Sequence, residues 1–429
     1  MTLDAKDHPF VSGGRESLPL NLGINGGGRI GKLALWHHVA RRAFRGLVLN
    51  LGREGGRGLQ DVADYLERDS TYGSLGRYLM GFRGGRVIED LDEAQGTMRV
   101  NGVPVRVLRA HRDPRDIPWR ENDVSLVADC TGAFTDPTAP PDAPMGSLRG
   151  HLEAGARKVI LSAPFKIKDK AKAMPEDAVT TIQGINEDDY LPSRHQLISA
   201  ASCTTTCLAF MVKPLLDHFG SDRILSASMV TVHAATGSQE VLDRLPGAGS
   251  KDLRKTRSTF NNIILTTTGA AGALSLVIPE MRRIGFMAES VRIPITTGSL
   301  VILHVNFQDD DPNCPIRRGL VNGVYRKAAQ GYLAPYLSYT ETQNVSADII
   351  GTAAAAVIEG QETHTRTAHI RMKLSQICAV SQGSVPAGDP GVLEVPVTQV
   401  VVYGWYDNEL GAYTHMMCER TLSVARSLM

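Results

Sequence analysis

From residue 18 to residue 31 the chain reads Leu-Pro-Leu-Asn-Leu-Gly-Ile-Asn-Gly-Gly-Gly-Arg-Ile-Gly, an apolar run that dissolves into glycines and reopens as a helical pattern. No other stretch restricts the fold as much. Leu18 to Gly23 predicts a short strand, Gly23 to Gly31 a tight turn, and Ile30 to Val48 a helix leading into a second strand, Leu47 to Leu51. In that context Gly26-x-Gly28-x-x-Gly31 has the form of a dinucleotide cradle. Missing side chains at Gly26 and Gly28 let backbone N–H groups approach a pyrophosphate at the helix N-terminus, and Gly31 lets the helix lie close to the strand. Arg29 and Ile30, which open the helix, join the same expected contact surface. A merely flexible turn is the plain alternative, and the flanking strand and helix argue against it.

The alternation continues, with a buried-strand run from Val124 to Cys130, a helical segment from Leu148 to Ala156, and a strand from Lys158 to Ser162. This predicts a mostly parallel sheet wrapped by helices. Beyond Cys203 the apolar runs are of β type: Ser226 to His233, Ser290 to Ile293, Ser299 to Phe307 and Gln399 to Tyr403. The fold class is therefore α/β, a Rossmann-type dinucleotide-binding domain with a second, α+β catalytic domain. With 429 residues the chain has room for both cores. The expected division is an N-terminal extension over residues 1–19, a dinucleotide-binding domain over 20–201 completed by a C-terminal helix at 408–429, and a catalytic domain over 202–407. Gln361 to Pro396, rich in Gln, Ser, Pro and Gly, reads as a surface insertion or long loop within a broader insertion at 355–400.

Charge excludes some classes of partner. Lys and Arg number 46 against 45 Asp and Glu, so no global field draws the chain to nucleic acid or to a membrane surface. The six cysteines, Cys130, Cys203, Cys207, Cys314, Cys378 and Cys418, form no CxxC pair, which argues against a zinc ribbon or a disulfide scaffold and for a reducing, cytoplasmic setting. The first 19 residues lack the apolar core of a signal peptide, and no apolar run reaches the length of about 18 residues needed to span a bilayer.

An acidic side chain normally follows the fingerprint by about 20 residues, at the end of the second strand, where it accepts the adenosine ribose hydroxyls. Here that place reads Asn50-Leu51-Gly52-Arg53. Leu51 stands where a carboxylate would repel a 2′-phosphate, and Arg53 is near enough to pair with one. The expected cofactor is NAD or NADP, with Glu54 available to the ribose in the first case.

Ser199-Ala-Ala-Ser202-Cys203-Thr204-Thr205-Thr206-Cys207 sets a cysteine among hydroxyls, directly before the apolar helical run Leu208 to Leu216. A helix N-terminus is expected to lower its thiol pKa. A cysteine alone is more often a small buried hydrophobe, and a histidine on an apolar strand, such as His233, more often a satisfied core residue.

Further motifs change that balance. Ser-Cys-Thr-Thr, Thr231-Val-His233-Ala-Ala-Thr236, Thr266-Thr-Thr268-Gly269-Ala-Ala, Arg292-Ile-Pro and Trp405-Tyr-Asp-Asn408-Glu-Leu-Gly411 occur in one order and spacing. Together they resemble the glyceraldehyde-3-phosphate dehydrogenases of the phosphorylating type, over about residues 20 to 429 except for insertions near 165 to 178 and 355 to 400. The resemblance implies that Cys203 attacks an aldehyde carbon and that His233 moves the protons. It implies that Thr236 and Arg292 hold a sugar phosphate, and that Ser202, Thr204, Thr268 and Gly269 hold inorganic phosphate. Asn408 would fix the nicotinamide carboxamide, Thr131, Gly132 and Ser162 would line the cofactor groove, and Arg254 and Arg257 would lend supporting charge. A homotetramer is implied as well. Erythrose-4-phosphate dehydrogenase, which resembles this family, is a second reading, and a homologue that keeps the fold as a binding or regulatory protein is a third.

Several positions depart from the family pattern. Ala200 and Thr206 replace asparagines beside the nucleophile, and Thr296-Thr-Gly298 stands in for Thr-x-Asn. Ala412 occupies the place of a tyrosine, with Tyr413 one step later. About three extra residues between Cys203 and His233 fall most simply in the turn at Gly220 to Arg223.

Overall fold

A computed structural model describes residues 17–311, 313–373 and 391–429. Most of the expected N-terminal extension lies outside the described residues, as does Cys378. Leu18–Asn25 forms the first strand, with Leu22 and Ile24 fully buried. The first helix, Arg29–Arg41, stops well short of Val48 because Arg42 turns left-handed at φ 49°, and the second strand begins at Phe44. A left-handed arginine ends this helix where sequence reasoning looks for glycine.

The first sheet has nine strands. Its order is Ala178–Thr180, Leu197–Ser199, Lys158–Leu161, Val124–Asp129, Leu18–Asn25, Phe44–Asn50, Val103–Leu108, Thr97–Val100 and Ile88–Asp92. All pairings are parallel up to Val103–Leu108, and the last two strands add antiparallel to that edge. The chain order reverses between the first strand and Val124–Asp129, so a crevice opens at the carboxyl ends of these neighbours.

The second sheet has eight strands from Ile224 to Tyr406. Ser299–Gln308 buries every second side chain, from Ser299 and Val301 through Phe307, against the helix Cys203–Phe219. Beyond its first turn that helix is apolar nearly all round and is correspondingly buried, apart from Asp217 and His218 near its end. The C-terminal helix His415–Arg426 returns to the first sheet, where Met417, Cys418 and Leu422 join the core beside Leu33 and Trp36.

Two expectations need correction. Ala356–Glu359, within the supposed insertion, is a buried core strand. His364–Lys373 is not a loop but a strand paired antiparallel with Val392–Val401, so the insertion leaves the sheet as a two-stranded ribbon. Residues 374–390 lie outside the described residues. Gly220, where the extra residues before His233 are expected, is a turn residue at φ 77°.

Candidate active site

The Gly turn is shaped as its chemistry requires. Gly26 has φ +103°, and a Cβ at Gly31 would come within 1.8 Å of the Gly26 carbonyl oxygen, so any side chain there would force helix and strand apart. A Cβ at Gly28 would meet nothing within 4 Å. The turn therefore faces open space at the mouth of the first helix, where a pyrophosphate fits. Thr131 and Gly132 follow the neighbouring strand, and the Thr131 amide and hydroxyl donate to Asp129 Oδ1 at 3.1 and 2.7 Å. The Ser162 amide donates to the Asp129 carbonyl at 2.9 Å, closing the same edge. Asp129 itself is buried and accepts from Asn25 at 2.8 Å and from the buried His151 at 3.0 Å.

Arg29 departs from expectation. Its guanidinium is committed to Asp69 and, at 2.6 Å, to Glu409. Burial opposes the charge, yet these two carboxylates hold its pKa above the ordinary value. Only its backbone, with that of the half-buried Ile30, is turned to the cradle's helix start.

Cys203 is the first residue of its helix, capped by Ser202, whose hydroxyl accepts from the Thr205 amide at 3.2 Å. Cys203 Sγ lies 3.3 Å from His233 Nε2. His233 Nδ1 lies 2.8 Å from the Ala234 carbonyl, an acceptor only, so Nδ1 carries the proton and the Nε2 lone pair faces the sulfur. Burial, reinforced by the Arg292 charge, lowers the imidazole pKa to about 3 and keeps it a neutral base. The thiol behaves otherwise than the helix end alone predicts. Desolvation pushes Cys203 up, against the opposing pull of Arg292 and the Thr204 amide. The resting pair is thus a neutral thiol beside a neutral imidazole.

Arg292 is carried opposite His233 by parallel pairing of Gly285–Ile293 with Ile224–Ala234. One of its amino groups donates to the Ala234 carbonyl at 3.2 Å, while its buried Nε has no partner among the described residues. Thr236 is half-buried beyond the same strand and bonds Gln239 Oε1 at 3.0 Å. Thr268 and the exposed Gly269 precede the helix Ala270–Val277, the Thr268 hydroxyl accepting from the Ala270 amide at 3.2 Å. Thr204 is buried, and its hydroxyl pairs with Tyr406 at 2.9 Å, inside the protein rather than towards the cleft. Arg254 and Arg257 pair with Asp252 and Asp243, each at 2.9 Å, on an exposed loop. Arg53 lines the crevice beside the glycines.

Asn408 is held from behind. Its Oδ1 accepts from Ser299 at 2.8 Å and Thr297 at 3.2 Å, which leaves Nδ2 as the available donor. Ser299 also accepts from the Ala234 amide at 3.0 Å, so one hydroxyl ties Asn408 to the His233 strand. The buried Asp407 accepts from Tyr72 and Thr297 at 2.8 Å each and from the Gly351 amide at 2.8 Å. Sequence reasoning quoted Asp407 inside its motif without giving it a task, and missed Ser299 altogether.

It also left Tyr413 unexplained. Leu410–Thr414 forms a π turn, which admits one residue more than an α turn. Ala412 takes up the extra step, and the Tyr413 hydroxyl donates to the Ala201 carbonyl at 3.1 Å. Ala201 is buried in the left-handed region at φ 56°, two residues before Cys203.

A glycine cradle at the switch of a parallel sheet, in one chain with a paired thiol and imidazole, is the arrangement of a dinucleotide-dependent oxidoreductase. The family can be named too. Residues 20–137 match the glyceraldehyde 3-phosphate dehydrogenase NAD-binding domain and residues 202–379 the C-terminal domain of the same family. Glyceraldehyde-3-phosphate dehydrogenase 2 of Streptomyces avermitilis is 35% identical over 96% of this chain and all of its own length. The glyceraldehyde-3-phosphate dehydrogenase of Geobacillus stearothermophilus is 32% identical over 95% of this chain and 99% of its own length. The chain belongs to the glyceraldehyde-3-phosphate dehydrogenase family, with NAD or NADP as cofactor. Among the described residues no helix is long and apolar enough to cross a membrane.

Proposed function

We propose that this protein oxidises D-glyceraldehyde 3-phosphate to 1,3-bisphosphoglycerate, reversibly, through a thioester on Cys203. The observation that carries this reading is the 3.3 Å approach of Cys203 Sγ to the unprotonated nitrogen of His233 beside a cationic Arg292. Sulfur attacks the aldehyde carbon, and the thiol proton passes by way of His233 Nε2 to the carbonyl oxygen, giving a hemithioacetal. Nε2 then accepts the hydroxyl proton as the carbon is oxidised, leaving a thioester. The nicotinamide, when bound, is the two-electron acceptor. Inorganic phosphate attacks the thioester carbon, the carbon–sulfur bond breaks, and His233 returns its proton to the departing sulfur.

Arg292 and Thr236 hold the sugar phosphate in this scheme; the buried Arg292 Nε, without an acceptor among the described residues, suits an anion. Ser202, Thr268 and Gly269 take the inorganic phosphate, with Thr204 supporting through its backbone. Asn408 Nδ2 fixes the carboxamide. The exposed Leu242, Leu245, Phe260, Ile263 and Met287 support association of copies into a homotetramer. The free Cys130, Cys203, Cys207, Cys314 and Cys418 suit a reducing, cytoplasmic setting.

Initial rates with glyceraldehyde 3-phosphate, with and without inorganic phosphate, test the reading in wild type and Cys203→Ser. Phosphate-dependent turnover that disappears in the mutant is expected. Phosphate-independent oxidation of erythrose 4-phosphate would replace it with the second dehydrogenase reading, and absence of turnover with a thiol unreactive to iodoacetamide would replace it with the binding-protein reading.

A further inference from the structure

The crevice beside the glycine turn continues past the second strand onto the loop Leu51 to Gly56, and the side chains there favour a ligand more anionic than NAD. Asn50, the last residue of that strand, is turned inward and fully occupied as a donor, giving hydrogen bonds to Asn25 Oδ1 at 2.8 Å and the His111 carbonyl at 2.9 Å. Leu51 takes the next position and points at the cradle, so close that a Cβ on Gly27 would lie 2.3 Å from its Cδ2. The place from which a carboxylate would accept the ribose hydroxyls is therefore filled by a branched hydrocarbon. It neither binds the 2′-hydroxyl nor repels a 2′-phosphate.

The remaining charges decide the sign. Two carboxylates reach the crevice, Glu54 and Asp61, and each lies beside an arginine, Glu54 sharing its own with Glu93. Glu54 lies 3.4 Å from Arg109, which also pairs with Glu93 at 2.7 Å. Asp61 accepts from the Arg57 amide at 2.8 Å and lies 3.4 Å from its side chain, and these bonds lower its pKa. Arg53 lines the same crevice and forms no ion pair among the described residues. Arg112 adds a further guanidinium, donating to the Gly52 carbonyl at 3.3 Å under the loop. An unneutralised guanidinium beside an apolar wall matches a phosphate dianion in charge and in donor geometry.

We infer that this protein binds NADP(H) in preference to NAD(H), with Arg53 gripping the adenosine 2′-phosphate and Leu51 removing the discrimination against it. The inference rests on the crevice as the adenosine end of the cofactor site and does not require the thioester chemistry. Calorimetric titration of the full chain with NADPH, NADH and adenosine 2′,5′-bisphosphate, without aldehyde, tests it directly. NADPH is expected to bind roughly tenfold or more tightly than NADH, and the bisphosphate to compete with it. Arg53→Ala should weaken NADPH by roughly tenfold and leave NADH within about twofold, and Leu51→Asp should reverse the preference. Equal or tighter binding of NADH by wild type overturns the inference, as does an Arg53→Ala protein that loses both cofactors equally. Tight NADPH binding without aldehyde turnover would sink the proposed reaction and keep this inference, whereas turnover confined to NAD would do the opposite.

Discussion

The cradle and the thiol centre solve opposite problems. The cradle's turn is made by one continuous stretch of about a dozen residues, and its function depends on what is missing, the side chains at Gly26, Gly28 and Gly31. The thiol centre is made by presence at a distance. Cys203, His233, Arg292 and the pair Asn408 and Tyr413 come from four separated segments, braced by Ser299, Thr297 and Asp407. A local device fails when atoms are added, and an assembled one fails when a brace is removed. Substitution can break that contrast.

The largest effect should come from His233→Asn, which removes the base while keeping a polar group. A fall in kcat/KM of about 10²- to 10⁴-fold is expected, with cofactor affinity unchanged. Loss of cofactor binding in the same mutant would show the two regions to be less separate than described.

Acid should distinguish the regions next. His37 and His415 meet between the first and last helices of the cofactor domain, and His38 packs against Phe44 of the second strand. Burial lowers His38 and His415 to about 3 and His37 well below its ordinary value. Folded pKa values below the unfolded one mean that the unfolded chain binds more protons. Stability is therefore complete above pH about 6.5 and falls as pH drops from there towards 3, by roughly 2 kcal/mol per histidine at pH about 5. Denaturant midpoints at pH 7.5 and 5 check this, with amide exchange expected to rise first in the first and last helices. A midpoint that climbs on acidification would contradict it.

Gly31→Ala adds a single carbon against the Gly26 carbonyl. A loss of about 1–3 kcal/mol is expected from overpacking, measured by chemical denaturation, together with weaker cofactor binding and an unaltered rate of Cys203 alkylation by iodoacetamide. Altered alkylation would blur the contrast.

Tyr413→Phe should be the gentlest. It removes the hydroxyl that holds the Ala201 carbonyl, at about 1 kcal/mol in stability. Slower alkylation of Cys203, with its pH profile displaced and KM for the cofactor preserved, would mark Tyr413 as a positioning residue. A shift in stability alone would mark it as merely structural.

How far sequence carried the reading follows the same division. The cradle, the alternating strands and the five motifs were legible because each is a local pattern with its own period or spacing. The end of the first helix was not, since Arg42 takes a left-handed conformation that composition assigns to glycine. The ribbon at His364–Lys373 was mistaken for a loop because its side chains are almost all exposed, so no apolar period of two marks it. The direction of the thiol shift was misjudged because helix position is visible in sequence and desolvation is not. Tyr413 escaped because a π turn moves a residue onto a new face without any change of residue type.

The return of His415–Arg426 to the first sheet has a consequence in time. A ribosome delivers most of the cofactor domain's core first, yet Met417, Cys418, Leu422 and Val424 of that core follow the whole second sheet in chain order. Until that helix emerges, the face of the first helix that carries His37 and Arg41, which meets His415 and Glu419, lacks its cover while the whole second sheet is being synthesised. The nascent chain therefore carries an open face until the helix His415–Arg426 emerges, and a chain without that helix would leave it open for good.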